Sequence, residues 1–67
     1  MKAPLSILKH FTYKHLPAHL QLVSKPFCEI AEAINANYLE NEVDIAETVA
    51  GLRKLLEAKD CIVRSRL

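Results

Sequence analysis

The sequence predicts an all-α protein: an antiparallel two-helix hairpin behind a short N-terminal arm, assembling into a helical homo-oligomer. Three observations carry that prediction. Leu16, Leu20, Val23, Phe27, Ile30 and Ile34 recur every three or four residues, and Ile45, Val49, Leu52, Leu56 and Val63 follow a helical pattern downstream, so each set lines one helical face. Asp44 and Glu47 stand at capping-box spacing in front of the second set. The flanking Leu22, Ala31, Leu55 and Ile62 widen both stripes beyond what one helix-on-helix contact covers, and Lys59 alone interrupts the second.

Taken in order, residues 1–16 read as an N-terminal arm and residues 17–67 as the hairpin domain. Pro4 and Ser6 break any helical pattern in the first ten residues, which are expected to be mobile or loosely docked. Phe11 to His15 forms an aromatic and basic cluster. Pro17 suits the first turn of a helix, where its missing N–H is not needed, so the first long helix should begin there. Pro26 removes one internal hydrogen bond, and Ser24 could cap a new helix in front of it. The apolar spacing runs through this point, which favours one helix kinked near Ser24 and Pro26 over two separate helices.

Asn35 and Asn37 are expected to end that helix, because asparagine tolerates the left-handed conformation found after a helix. Tyr38 to Val43 then forms the connection. Glu40, Glu42 and Asp44 place negative charge at the amino end of the second helix and Arg64 and Arg66 positive charge at its far end, both favourable to the helix dipole. Arg53 with Glu57, and Asp60 with Arg64, are spaced for ion pairs. Gly51 is the weak position, explicable if a neighbouring helix crosses closely there. The short loop makes the helices antiparallel neighbours.

Sixty-seven residues form one small domain near the size at which a lone hydrophobic core becomes marginal. Ordering about 55 residues costs roughly 80 kcal/mol, and burying about 3,000 Å² of apolar surface returns roughly 75 kcal/mol. Self-association is the expected remedy, since Cys28 and Cys61 read as reduced thiols rather than as a disulfide. No segment has the uninterrupted apolar run of a signal peptide or of a membrane span, so a soluble, cytoplasmic protein is expected. Nine Lys and Arg against eight Asp and Glu leave a net charge of +1, which argues against binding a nucleic-acid polymer through many phosphate contacts.

Catalysis finds little support. No Ser-His-Asp or Cys-His arrangement is recognisable, and a single glycine cannot build a phosphate loop. His10, His15 and His19 share the amino-terminal region without a carboxylate or cysteine at ligand spacing, so no metal site or cofactor is expected. The segment Lys9-His10-Phe11-Thr12-Tyr13-Lys14-His15 interleaves rings with cations, as a purine phosphate requires, although the same rings would also staple the arm to the helices. Lys25, Arg53 and Lys54 are open between solvated charge and anion contacts.

Three stretches carry a resemblance to a known family. Phe11-Thr12-Tyr13-Lys14-His15-Leu16-Pro17, then Ser24-Lys25-Pro26-Phe27-Cys28-Glu29, then Leu52-Arg53-Lys54-Leu55-Leu56-Glu57-Ala58-Lys59-Asp60 resemble the small phage helical-hairpin family, over roughly residues 11–67. That family includes the cyclic-nucleotide sponges that oppose the CBASS and Thoeris defence systems. The resemblance implies a non-enzymatic homohexamer in the bacterial host cytoplasm that sequesters cyclic oligonucleotides or cyclic ADP-ribose isomers between protomers. It gives Tyr13 the role of packing on the bound nucleotide, with Phe11 as its companion. In the sponges a basic residue early in the first long helix also contacts ligand; here Cys28 or Glu29 stands near that position and the nearest basic residue is Lys25. Lys14, Arg53 and Arg64 are chemically suitable contributors.

A structural or adaptor hairpin oligomer that binds another protein is the alternative expectation. A small DNA-binding repressor would need a basic recognition helix, and Glu47, Glu57 and Asp60 dilute the cations of the second helix.

Overall fold

The computed structural model describes residues 2–67 and is all-α. It contains a 3-10 helix, η1 (Ser6–Phe11), and two α-helices, α1 (Ala18–Glu40) and α2 (Ile45–Arg64), packed as a hairpin. Met1, counted with the arm in the sequence, lies outside the described residues. None of the helices is long and apolar enough to cross a membrane.

The arm corrects the first expectation. Leu5, Leu8 and Phe11 are spaced by three, the period of a 3-10 helix, so they share one face. That face closes the core: Phe11, Ala31 and Leu52 are fully buried, with Leu5, Ile7 and Leu8 packed against them beside Phe27, Cys28, Ile34, Leu55 and Leu56. Much of the cover that the wide stripes require therefore comes from the same chain. Polar ties reinforce it. The Leu5 N–H donates to Asn35 Oδ1 at 3.1 Å, and Lys2 Nζ donates to the carbonyls of Tyr38 and Asn41 at 2.9 and 2.6 Å, 4.8 Å from the centre of the Tyr38 ring. A cation on the last carbonyls of α1 opposes the negative end of its dipole.

α1 begins where the sequence places it, with the N–H groups of Leu20 and Gln21 donating to the Pro17 carbonyl. It runs unbroken through Pro26. Proline leaves the Leu22 carbonyl without its helical partner, and both residues are exposed, so water can serve that carbonyl. The buried row is Leu20, Ser24, Ala31 and Tyr38, rotated by one residue from the expected stripe: Ile30 is 49% exposed while Ala31 is fully buried. Small side chains at 24 and 31 let the neighbouring elements approach. Ser24, a possible cap by sequence, lies inside the helix, and its buried Oγ meets no hydrogen-bond partner among the described residues.

The end of α1 is a second correction. Asn35 and Asn37 stay helical, no described residue has positive φ, and the helix continues to Glu40, with Asn41 extended at its C-cap. Asn41 closes it by donating from its backbone N–H and from Nδ2 to the Asn37 carbonyl at 3.0 and 3.1 Å. Tyr38, expected in the connection, is instead buried on α1 beneath Lys2, leaving residues 41–44 as the loop.

α2 starts as the sequence predicts, Asp44 accepting from the Glu47 N–H at 3.0 Å. Its two expected ion pairs do not form. Among the described residues the ion pair observed is Lys59 to Asp60, at 3.5 Å. Nor does another helix approach Gly51, where a Cβ would meet nothing within 4 Å.

The molecule is a short rod, 38 × 19 × 15 Å, with a radius of gyration of 12.5 Å against about 11 Å expected for this length. Its accessible surface of 4807 Å² exceeds the roughly 4,300 Å² expected for its mass. Leu22, Ile30, Ile45 and Ile62 contribute to that excess, at 81, 49, 52 and 41% exposure.

Candidate functional site

The chain between η1 and α1 carries the aromatic and basic cluster, and both of its ends are pinned. At the near end, Lys59 is buried at the α2 seam and donates from Nζ to the His10 carbonyl at 2.7 Å, with its ammonium 5.8 Å from the centre of the Phe11 ring. That bond fixes the last turn of η1. At the far end, Gln21 of α1 donates from Nε2 to the carbonyls of Leu16 and Lys14 at 2.8 and 3.3 Å. Between them the Leu16 N–H donates to the Tyr13 carbonyl at 3.0 Å, closing a turn.

Tyr13 is half-buried at this turn and stands between two open grooves. One, of about 610 Å³, is lined by Leu8, Thr12, Tyr13, Lys14, Cys28 and Glu32. The other, of about 500 Å³, is lined by Tyr13, Lys14, Ala18, Gln21, Leu22 and Lys25. Both volumes lie in the range of small-molecule sites. The structure thus brings Tyr13, Lys14 and Lys25 to one side of the molecule.

The remaining candidates lie elsewhere. Phe11 is fully buried in the core, so within one protomer its ring is closed to a ligand. Arg53 lines a separate depression of about 350 Å³ with Lys9 and His10. Arg64 sits in the last turn of α2, where it donates from Nη2 to Cys61 Sγ at 3.2 Å. His10, His15 and His19 are exposed, and among the described residues no three His, Cys, Asp or Glu side chains converge as a metal site would require.

Glu32 of the larger groove was not singled out by sequence, and Cys28 was read there only as a reduced thiol near the position of the family's basic residue. Cys28 donates from Sγ to Glu32 Oε1 at 3.3 Å. Burial raises the Cys28 thiol above its ordinary pKa of 9.0; the hydrogen bond to Glu32 and the charges of Glu32 and Glu29 raise it further, against a lowering by Lys14. The thiol therefore stays protonated near neutrality and remains a donor. The four-residue spacing of Cys28 and Glu32 was the available signal, since it puts both on one side of α1.

Fold and site together define a small helical hairpin with a docked N-terminal helix and a cation-flanked aromatic turn between two grooves. No family model, curated protein or solved structure matches the chain.

Proposed function

We propose that this protein is a phage-type anti-defence sponge, which binds cyclic nucleotide immune messengers in grooves completed by neighbouring copies of itself and sequesters them without cleavage. The observation that carries the reading is the placement of Tyr13 at the lip of two grooves, with Lys14 lining both and Lys25 lining one. A base stacks on the ring while the ammonium groups meet phosphate oxygens. The likeness of residues 11–67 to the phage hairpin sponges supports the same assignment. The exposed Leu22 beside Lys25 supports a second copy as the missing wall, because an apolar side chain at the edge of a groove is covered when another protomer packs there.

Sequestration works by mass action: a sponge at micromolar concentration with about nanomolar affinity, near −12 kcal/mol, leaves almost no free messenger, and no chemistry on the ligand is needed.

Calorimetry against cyclic di- and trinucleotides and cyclic ADP-ribose isomers tests the proposal, with native mass spectrometry of the same sample to give the number of copies, six being the expected value. Tyr13→Ala should weaken binding by about 5- to 150-fold, the worth of one stacked base, while leaving the mass in solution unchanged. Absence of heat and of a thermal shift across the panel overturns the reading. The second reading, an adaptor oligomer that binds another protein, draws on the exposed Ile30, Ile45 and Ile62. It predicts that Tyr13→Ala changes packing alone.

A further inference from the structure

A carboxylate in a groove that receives phosphates works against binding unless it faces something other than phosphate. Glu32 lines the larger groove with Tyr13 and Lys14, and among the described residues it takes part in no ion pair. Its Oε1 accepts from the Cys28 thiol at 3.3 Å, which holds the carboxylate in place and leaves Oε2 without a protein partner among the described residues. An ionised carboxylate only accepts hydrogen bonds. What suits it in this groove is a base edge that sets two donors side by side.

We infer that Glu32 is a specificity-determining residue of the proposed sponge site, reading the Watson–Crick edge of a guanine stacked on Tyr13 while Lys14 meets the phosphate. The inference rests on the sponge reading. Guanine presents its N1–H and N2–H groups side by side, two donors matching the acceptors of one carboxylate. Adenine presents a donor at N6 beside an acceptor at N1, whose lone pair the carboxylate repels. Cytosine also sets an acceptor beside its amino donor. Selection therefore comes as much from repulsion of adenine as from attraction to guanine.

Calorimetry with cyclic di-GMP and cyclic di-AMP measures the ratio of affinities. The wild-type protein should prefer the guanine ligand by about tenfold or more, the worth of one bidentate base contact. Glu32→Gln, which keeps the shape but offers an amide donor, should bring the ratio to within about twofold of unity; Tyr13→Ala should weaken both ligands and keep the preference. Circular dichroism establishes that each variant is folded. Should Glu32→Gln fail to fold, Cys28→Ala, which frees the carboxylate from its tether, is expected to lower the same ratio. A wild-type ratio near one, a preference for adenine, or a ratio unchanged in Glu32→Gln overturns the role of Glu32 and leaves the sponge reading standing. No binding of any ligand in the wider panel overturns both.

Discussion

Lys59 shows how a residue that interrupts a pattern can complete a structure. In the sequence it breaks an apolar seam; in the fold its aliphatic stem is buried along that seam and its ammonium reaches the His10 carbonyl, the Phe11 ring and Asp60. Lys59→Met keeps the stem and removes the donor, leaving that carbonyl without its partner. Urea denaturation should show a loss of about 1–3 kcal/mol, and an unchanged midpoint would deny the ammonium any part in holding η1. Cys28 contributes a pH dependence. Because burial and Glu32 raise its pKa above 9.0, the unfolded chain loses the thiol proton before the folded one does. The resulting stabilisation is complete below about pH 9 and is lost as pH rises through the folded pKa. Cys28→Ala should flatten the fall in denaturation midpoint above about pH 9, and iodoacetamide should label the exposed Cys61 ahead of Cys28.

At the scale of elements, Gly51 is decided by what surrounds it. With nothing near a Cβ there, Gly51→Ala gains helix propensity without a clash and should stabilise the protein by about 0.5–1 kcal/mol in thermal denaturation. A loss of stability together with a drop in assembly mass would show that a second copy packs at that point. Both long helices were legible in the sequence, because apolar spacing and the Asp44 cap report local geometry directly. The end of α1 was not. Asparagine tolerates a left-handed turn without demanding one, and the pull on Tyr38 comes from Lys2, 36 residues away, which no local pattern records. The rotation of the buried row from Ile30 to Ala31 was hidden for a similar reason: hydropathy favours isoleucine, whereas the close third element favours the smaller side chain.

For the whole molecule, the N-terminal segment decides whether there is a core at all. Leu5, Ile7, Leu8 and Phe11 close the side of the hairpin that the two long helices leave open. Deletion of residues 1–11 should therefore abolish the cooperative thermal transition followed by circular dichroism, and a sharp transition in the shortened chain would show that α1 and α2 are sufficient alone. The three-residue spacing of Leu5, Leu8 and Phe11 was a readable signal, but six residues are too few for periodicity to stand out beside Pro4 and Ser6. The candidate site was legible in part: the sequence singled out Tyr13, Lys14 and Lys25, and the fold sets them side by side. Its acidic wall was not, because Glu32 matters only through what it faces.

Enclosure of Phe11 depends on partners synthesised after it. Leu52 packs on its ring and Lys59 ties down its neighbour His10, 49 residues along the chain. A nascent chain leaves the ribosome N-terminus first, so η1 emerges before α2 and finds its shelter only when α2 has followed. A polypeptide interrupted anywhere in α1 would hold its aromatic turn in water, because η1 can dock only once Leu52 and Lys59 of α2 are present.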